Sequence, residues 1–240
     1  MLDFSINSSV SAVSNSVKQL APYAIYDVKY EKSEIVEFDG KKDPSQHYKT
    51  LRVRFSNANG YYEETIFFPT PADAERRKFE NSDGTSREVP SNWERTKFFM
   101  AQVMEVLNPE GYKKFCEASS KFKDFEMMAK AFVKVLEPAA GKETKLKLMG
   151  RTDTNGNVHA VLPNFLNISK EGQLYVSTNF IGDRVFFSTY EEGLVQKFKN
   201  AKPTAMPDLA ADPLGFNPKA EGTYNKAEKD DVIDLDGLLS

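Results

Sequence analysis

Cysteine is almost missing from this 240-residue chain: Cys116 stands alone, so no disulfide forms within it. A reducing cytoplasm is therefore the expected compartment. Histidine is nearly as scarce. His47, His159 and Cys116 lie far apart and show no metal-ligand spacing, so no metal site is expected. No run of about 18 apolar residues occurs, which argues against a membrane span. The opening "MLDFSINSSVSAVSNSVK" has neither a basic start nor an apolar stretch, and no signal peptide is expected. Neither G-x-x-x-x-G-K-[ST] nor G-x-G-x-x-G is found, so no phosphate-cradling loop is expected. The adjacent acids Glu63 and Glu64 fall on a strand-like stretch and point to opposite faces. They cannot share one reacting centre. These gaps argue against an enzyme and against a cofactor.

What is present is an uneven charge. The net charge of −3 divides into −5 over residues 207–240, where eight acids face three lysines, and +2 over the remainder. A slightly basic body joined to an acidic end raises nucleic-acid binding as a hypothesis.

Residues 1–20, rich in Ser and Asn, read as a mobile arm. Residues 24–38 form one long bent strand or two short ones. "YKTLRVRF" (48–55) alternates, with Leu51, Val53 and Phe55 on one face and Tyr48, Thr50, Arg52 and Arg54 on the other. Asn59-Gly60 turns the chain into "YYEETIFF" (61–68), a hairpin partner. Residues 72–90 read as a long charged loop. Ser91 and Glu94 have capping-box spacing and open a helix that Asn108-Pro109 ends. A second helical region places Phe122, Phe125, Met128, Phe132 and Leu136 at steps of three and four.

Strands return at 143–150. "DTNGN" (153–157) is a hairpin turn rather than a calcium loop, because its Gly falls at the wrong place. Residues 158–168 are the return strand, interrupted at Pro163. "QLYVSTNF" and "RVFFSTY" read as two more strands, and "EEGLVQKFKN" as a helix or turn. Proline then recurs at 203, 207, 213 and 218, and residues 201–227 read as a disordered linker. The acidic-apolar tip spans 228–240.

Three strands, a helical segment at about 91–137, then two or more strands predict an α+β, mainly β domain over residues 21–200. Its expected form is an OB-fold-like, five-stranded Greek-key barrel with the helical segment between strands 3 and 4. Single-stranded nucleic acid is held by cations that track phosphates and by exposed rings that stack on bases. Lys29, Tyr48, Lys49, Arg52, Arg54, Tyr62, Lys145, Lys147 and Arg151 are the candidates on these strands. Basic residues on the polar side of a sheet are also what any solvated face shows.

The whole layout resembles the phage-type single-stranded DNA-binding proteins: an OB-fold core with a helical insertion, a linker and an acidic C-terminus. Many members end on an aromatic residue, whereas this chain ends Leu238-Leu239-Ser240. The resemblance implies a binder without catalysis, coating single strands during replication and recombination in the host-cell cytoplasm. It also implies a tip, Asp230, Asp231, Ile233, Asp234, Leu235, Asp236, Leu238 and Leu239, that recruits replication or recombination proteins. Oligomerisation stays open. The alternatives are a virion-associated or structural interaction protein and an RNA-binding or regulatory β-barrel.

Overall fold

The computed structural model describes residues 18–40, 43, 45–80 and 84–200. The N-terminal arm before residue 18, the linker from 201 and the acidic tip lie outside the described residues.

The chain forms a mixed α+β fold around one large antiparallel sheet. Strands β1 (Ala24–Asp39), β2 (His47–Asn57) and β3 (Gly60–Phe67) follow one another as hairpins. A two-stranded ribbon, β4 (Arg77–Glu80) and β5 (Ser86–Val89), comes next. Helices α1 (Asn92–Leu107), α2 (Pro109–Ala118) and α3 (Phe125–Leu136) then lead into β6 (Glu143–Thr152) and β7 (Val158–Val161). A second ribbon, β8 (Leu166–Ile168) and β9 (Leu174–Val176), precedes helix α4 (Thr189–Asn200). The large sheet has the order β3-β2-β1-β6-β7.

Local chemistry accounts for most of these elements. Ser91 Oγ accepts from the Glu94 N–H at 3.1 Å while Glu94 accepts from the Ser91 N–H at 2.8 Å, a reciprocal cap that starts α1. Asn108 ends α1, and its side chain accepts from Gly111 N at 3.0 Å to start α2, with Pro109 in the first turn. Asp124 caps α3 through Met127 N at 2.8 Å. The 153–157 turn closes around Asp153, whose Oδ1 accepts from the N–H groups of Asn155 and Asn157.

The core lies between one face of the sheet and the helices. Val28, Tyr30, Leu51, Val53, Phe55, Leu146 and Leu148 come from the strands; Met100, Val103, Ala129, Phe132 and Leu136 come from α1 and α3. Phe180 stacks on Phe99 at 5.6 Å between ring centroids and contacts Phe165 at 5.0 Å, so the segment after β9 packs into the same core.

The expected closed barrel is not formed. Five strands are present in one sheet, but among the described residues no ladder joins β3 to β7. Two causes are visible. Strand β7 is four residues long and stops short of Pro163, which has no N–H to extend a ladder. The outer edge of β3 is also taken near its start: Leu20 N–H donates to Tyr61 O at 2.8 Å, and Tyr61 N–H donates to Lys18 O at 2.9 Å. Gly60 permits this approach, since a Cβ there would sit 2.1 Å from Lys18 O.

Two further expectations are corrected. Residues 72–90 are not all loop, because β4 and β5 pair within them. "RVFFSTY" is not a strand; it runs irregularly into α4. The reason is Lys147. Its side chain is fully buried and donates to Thr178 Oγ1 at 2.6 Å, Phe186 O at 3.0 Å and Glu191 Oε2 at 3.0 Å. All three ammonium protons are used. This ties residues 178–191 over the outer face of β6 instead of leaving them to extend the sheet. Lys147→Met is therefore expected to cost about 3–5 kcal/mol, the scale for breaking a buried ion pair. Urea unfolding measures it, and a change under about 1 kcal/mol, the range of exposed pairs, would show the clamp to be ornamental.

Candidate nucleic-acid interface

One turn of irregularity sets the geometry of the outer face. Strand β1 carries a bulge between Tyr30 and Lys32. Before it, Tyr26, Val28 and Tyr30 face the core side. After it, Ser33 and Ile35 do so, opposite Val53 and Leu51. Lys32, Glu34, Val36 and Phe38 are consequently on the outer face, opposite Arg54, Arg52, Thr50 and Tyr48. Strand β3 adds Tyr61, Glu63, Thr65 and Phe67 to that face.

Three rings gather at one end of it. Phe38 stacks on Tyr48 with centroids 5.7 Å apart, and Phe67 meets both edge-on at 6.3 and 6.4 Å. Tyr48 and Phe67 are 37% and 49% exposed, so each ring keeps part of its surface in solvent. At the other end the Arg54 guanidinium lies 4.7 Å over the Tyr61 ring. Between them stands Arg52, the other arginine of "RVR". Glu63 accepts from Arg54 Nε at 2.9 Å and lies 3.8 Å from Arg52 Nη1. Lys32 pairs with Glu34 at 2.7 Å, and Ser56 Oγ donates to Glu31. Cations and carboxylates on this face are nearly balanced.

Of the residues predicted from sequence, Lys29, Tyr48, Arg52 and Arg54 share this face. Lys29 is exposed, opposite Ser56 and 3.5 Å from Glu143. Lys145 lies at its margin opposite Asp27, and Arg151 is exposed farther along β6, opposite His159. Three expectations are corrected. Lys147 is not an outward cation but the buried clamp described above. Lys49 points to the helix side, where Glu37 at 2.8 Å and Glu126 of α3 at 3.0 Å hold it and raise its pKa. Tyr62 is buried on the core side, not presented for stacking. The tip residues Asp230, Asp231, Ile233, Asp234, Leu235, Asp236, Leu238 and Leu239 lie outside the described residues.

The outward rings are Phe38, which sequence reasoning passed over, and Tyr61 and Phe67, which it weighed against Tyr62 and Phe68 before choosing Tyr62. For Tyr61 and Phe67 a signal existed: Ile66 is in phase with Tyr62 and Phe68, which turns the other pair outward. For Phe38 none did, because the bulge reverses its face.

A pair beside this face, the buried Tyr62 and the half-buried Glu64, has its own chemistry. Tyr62 Oη donates to Glu64. Burial pushes the Glu64 carboxyl up to about 7, against the opposing effect of the Tyr62 hydrogen bond, and burial also raises Tyr62. No cluster of three His, Cys, Asp or Glu side chains able to hold a metal is found among the described residues. No helix among them is long and apolar enough to cross a membrane.

No family model, curated protein or solved structure matches this chain.

A carboxyl raised on folding binds its proton more tightly in the folded state. Stability therefore falls as pH rises from 4.5, the ordinary value, to about 7. Glu64→Gln removes that decline. Thermal unfolding across this window should show the variant gaining on the native chain as pH rises; parallel profiles would mean that Glu64 titrates alike in both states.

Proposed function

We propose that this protein is a non-catalytic module that binds single-stranded DNA without strong sequence preference, in replication or recombination. The observation that carries the reading is the sheet face on which Phe38, Tyr48 and Phe67 cluster and Arg54 overlies Tyr61, with no helix packed over it among the described residues. Planar rings accept any base, because every base has a π-face. The strand order supports it: β1 bends and pairs with both β2 and β6, and the helices lie between β3 and β6. That is the order of an OB-fold, whose strand 2–3 face is a common oligonucleotide surface. In this reading the β3–β7 seam is an unclosed barrel joint. The resemblance in layout to phage-type single-stranded DNA-binding proteins adds the acidic tip as a weak competitor for the face and a handle for a replication or recombination partner.

The near balance of charge on the face favours a second reading, a virion-associated or structural interaction protein whose ring cluster meets another protein. Titration of fluorescent oligothymidylate at two salt concentrations separates the two. The proposal predicts single-strand binding that tightens in a chain ending at Lys226. Tyr48→Ala with Phe67→Ala should weaken binding by about 1–3 kcal/mol per lost stack. The melting temperature should fall only modestly, since both rings are part exposed and their loss removes ring contacts with Phe38 and each other, and the salt slope should stay the same. Absence of binding by the shortened chain at low salt favours the second reading.

A further inference from the structure

A second surface lies apart from the sheet face. The two ribbons β4–β5 and β8–β9 flank a groove of about 440 Å³, within the roughly 300–1,000 Å³ of small-ligand sites. In the β4–β5 register Phe79 stands opposite Arg87 and Arg77 opposite Val89. Alternation places these four on one side of the ribbon, and all four line the groove. On β8–β9 the pair Asn167 and Tyr175 lines it as well. Its floor is the start of α1, with Arg95.

Three arginines, Arg77, Arg87 and Arg95, therefore line one groove whose single carboxylate residue in the lining, Glu88, is shared by Lys78 and Arg76 at 3.7 Å each. Arg77 and Arg87 are exposed. Phe79 and Tyr175 are 48% and 49% exposed. The walls are held in place. Arg76 donates to Glu94 of α1 at 2.9 Å and to Gly172 O in the β8–β9 turn at 3.2 Å. Arg95 donates to Asn164 Oδ1 at 2.7 Å, and Asn164 Nδ2 donates to Asn167 Oδ1 at 3.1 Å. The amides are thus fixed before any ligand arrives, which limits the ordering cost of binding.

We propose that this groove binds one or two nucleotides of a single-stranded nucleic acid, with a base stacked on Phe79 or Tyr175 and phosphates against Arg77 and Arg87. Open rings, planar cations and oriented amides in one groove match the three parts of a nucleotide. The sheet face offers rings with little net charge, whereas the groove offers both. It supplies the phosphate contacts that the sheet face lacks, and it rests on the nucleic-acid reading above only for its ligand class.

The test uses the full chain and two double variants, Arg77→Gln with Arg87→Gln and Phe79→Ala with Tyr175→Ala. Tyr48→Ala with Phe67→Ala is the sheet-face comparison. Oligothymidylate and oligouridylate are titrated over a salt series, and melting temperatures check folding; the four groove positions are on exposed ribbons. The expected result is a roughly tenfold or larger loss for each groove variant. The arginine variant alone should flatten the salt dependence, by about 0.7 in log–log slope per lost phosphate contact. Loss in the groove variants with an unaffected sheet-face variant supports the groove and removes the sheet face. Loss in the sheet-face variant with unaffected groove variants overturns the groove proposal and leaves the proposed function standing. Unaffected binding in all three, or no binding at low salt by either the native chain or the chain ending at Lys226, overturns both. Groove variants that keep oligonucleotide binding but lose cross-linking to a peptide of residues 228–240 assign the groove to the acidic tip and likewise overturn the proposal.

Discussion

One extra residue in the central strand governs what this molecule presents to solvent. Strand β1 is hydrogen-bonded to β2 along most of its length and to β6 along its first part. Any change of phase within it therefore propagates to both neighbours. The bulge between Tyr30 and Lys32 changes that phase. It lets the first half bury Tyr26, Val28 and Tyr30 while the second half buries Ser33 and Ile35. The same shift delivers Phe38 to Tyr48 and Phe67. A regular strand would put Phe38 on the helix side and break up the ring cluster. Bulges also bend and twist the sheet locally, which suits a strand with two different partners.

The outer face is further divided by a buried charge. Lys147 sits among Thr178, Phe186 and Glu191, and Glu191 also accepts from the Ser188 N–H at 2.8 Å. That carboxylate both begins α4 and neutralises the lysine. The segment it pins covers β6, and Tyr23 meets Phe198 of α4 at 4.7 Å beyond. Among the described residues no helix packs over the second half of β1 with β2 and β3, where the ring cluster and the Arg52–Arg54–Glu63 group share one face; Thr50 within it is buried by its neighbours. The arginines are moderated by Glu63, which makes stacking rather than charge the chief resource of this face. The groove between the ribbons has the opposite balance.

Much of the backbone plan was legible from residue type and spacing. The clean alternation of 48–55, the Asn59-Gly60 and Asn155-Gly156 turns, the Ser91–Glu94 cap and the Asn108-Pro109 junction each act within a few residues, and each appears where its chemistry places it. Phe132 and Leu136 are core residues, as their helical spacing requires. The candidate site was legible only in part. Arg52, Arg54 and Tyr48 could be placed because β2 is regular and its apolar phase is unambiguous. Lys147 could not, because an outward position on a strand does not reveal that a distant segment will cover it. Nor could Lys49, whose partners Glu37 and Glu126 lie on a neighbouring strand and on α3.

The sequence by itself determined β1 to β3, the helical segment, β6 and its return strand, the turns and caps, and the inner face of the regular strands, because each follows from contacts within a few residues. Only the tertiary structure decided that the sheet stays open at β3 and β7, that Lys147 is a clamp, that Phe38 joins the outer rings, and that two short ribbons bring three arginines and two rings into one groove. Those outcomes depend on which distant segments meet, on an edge already occupied by residues 18–20, and on one bulge. None leaves a local pattern in the chain.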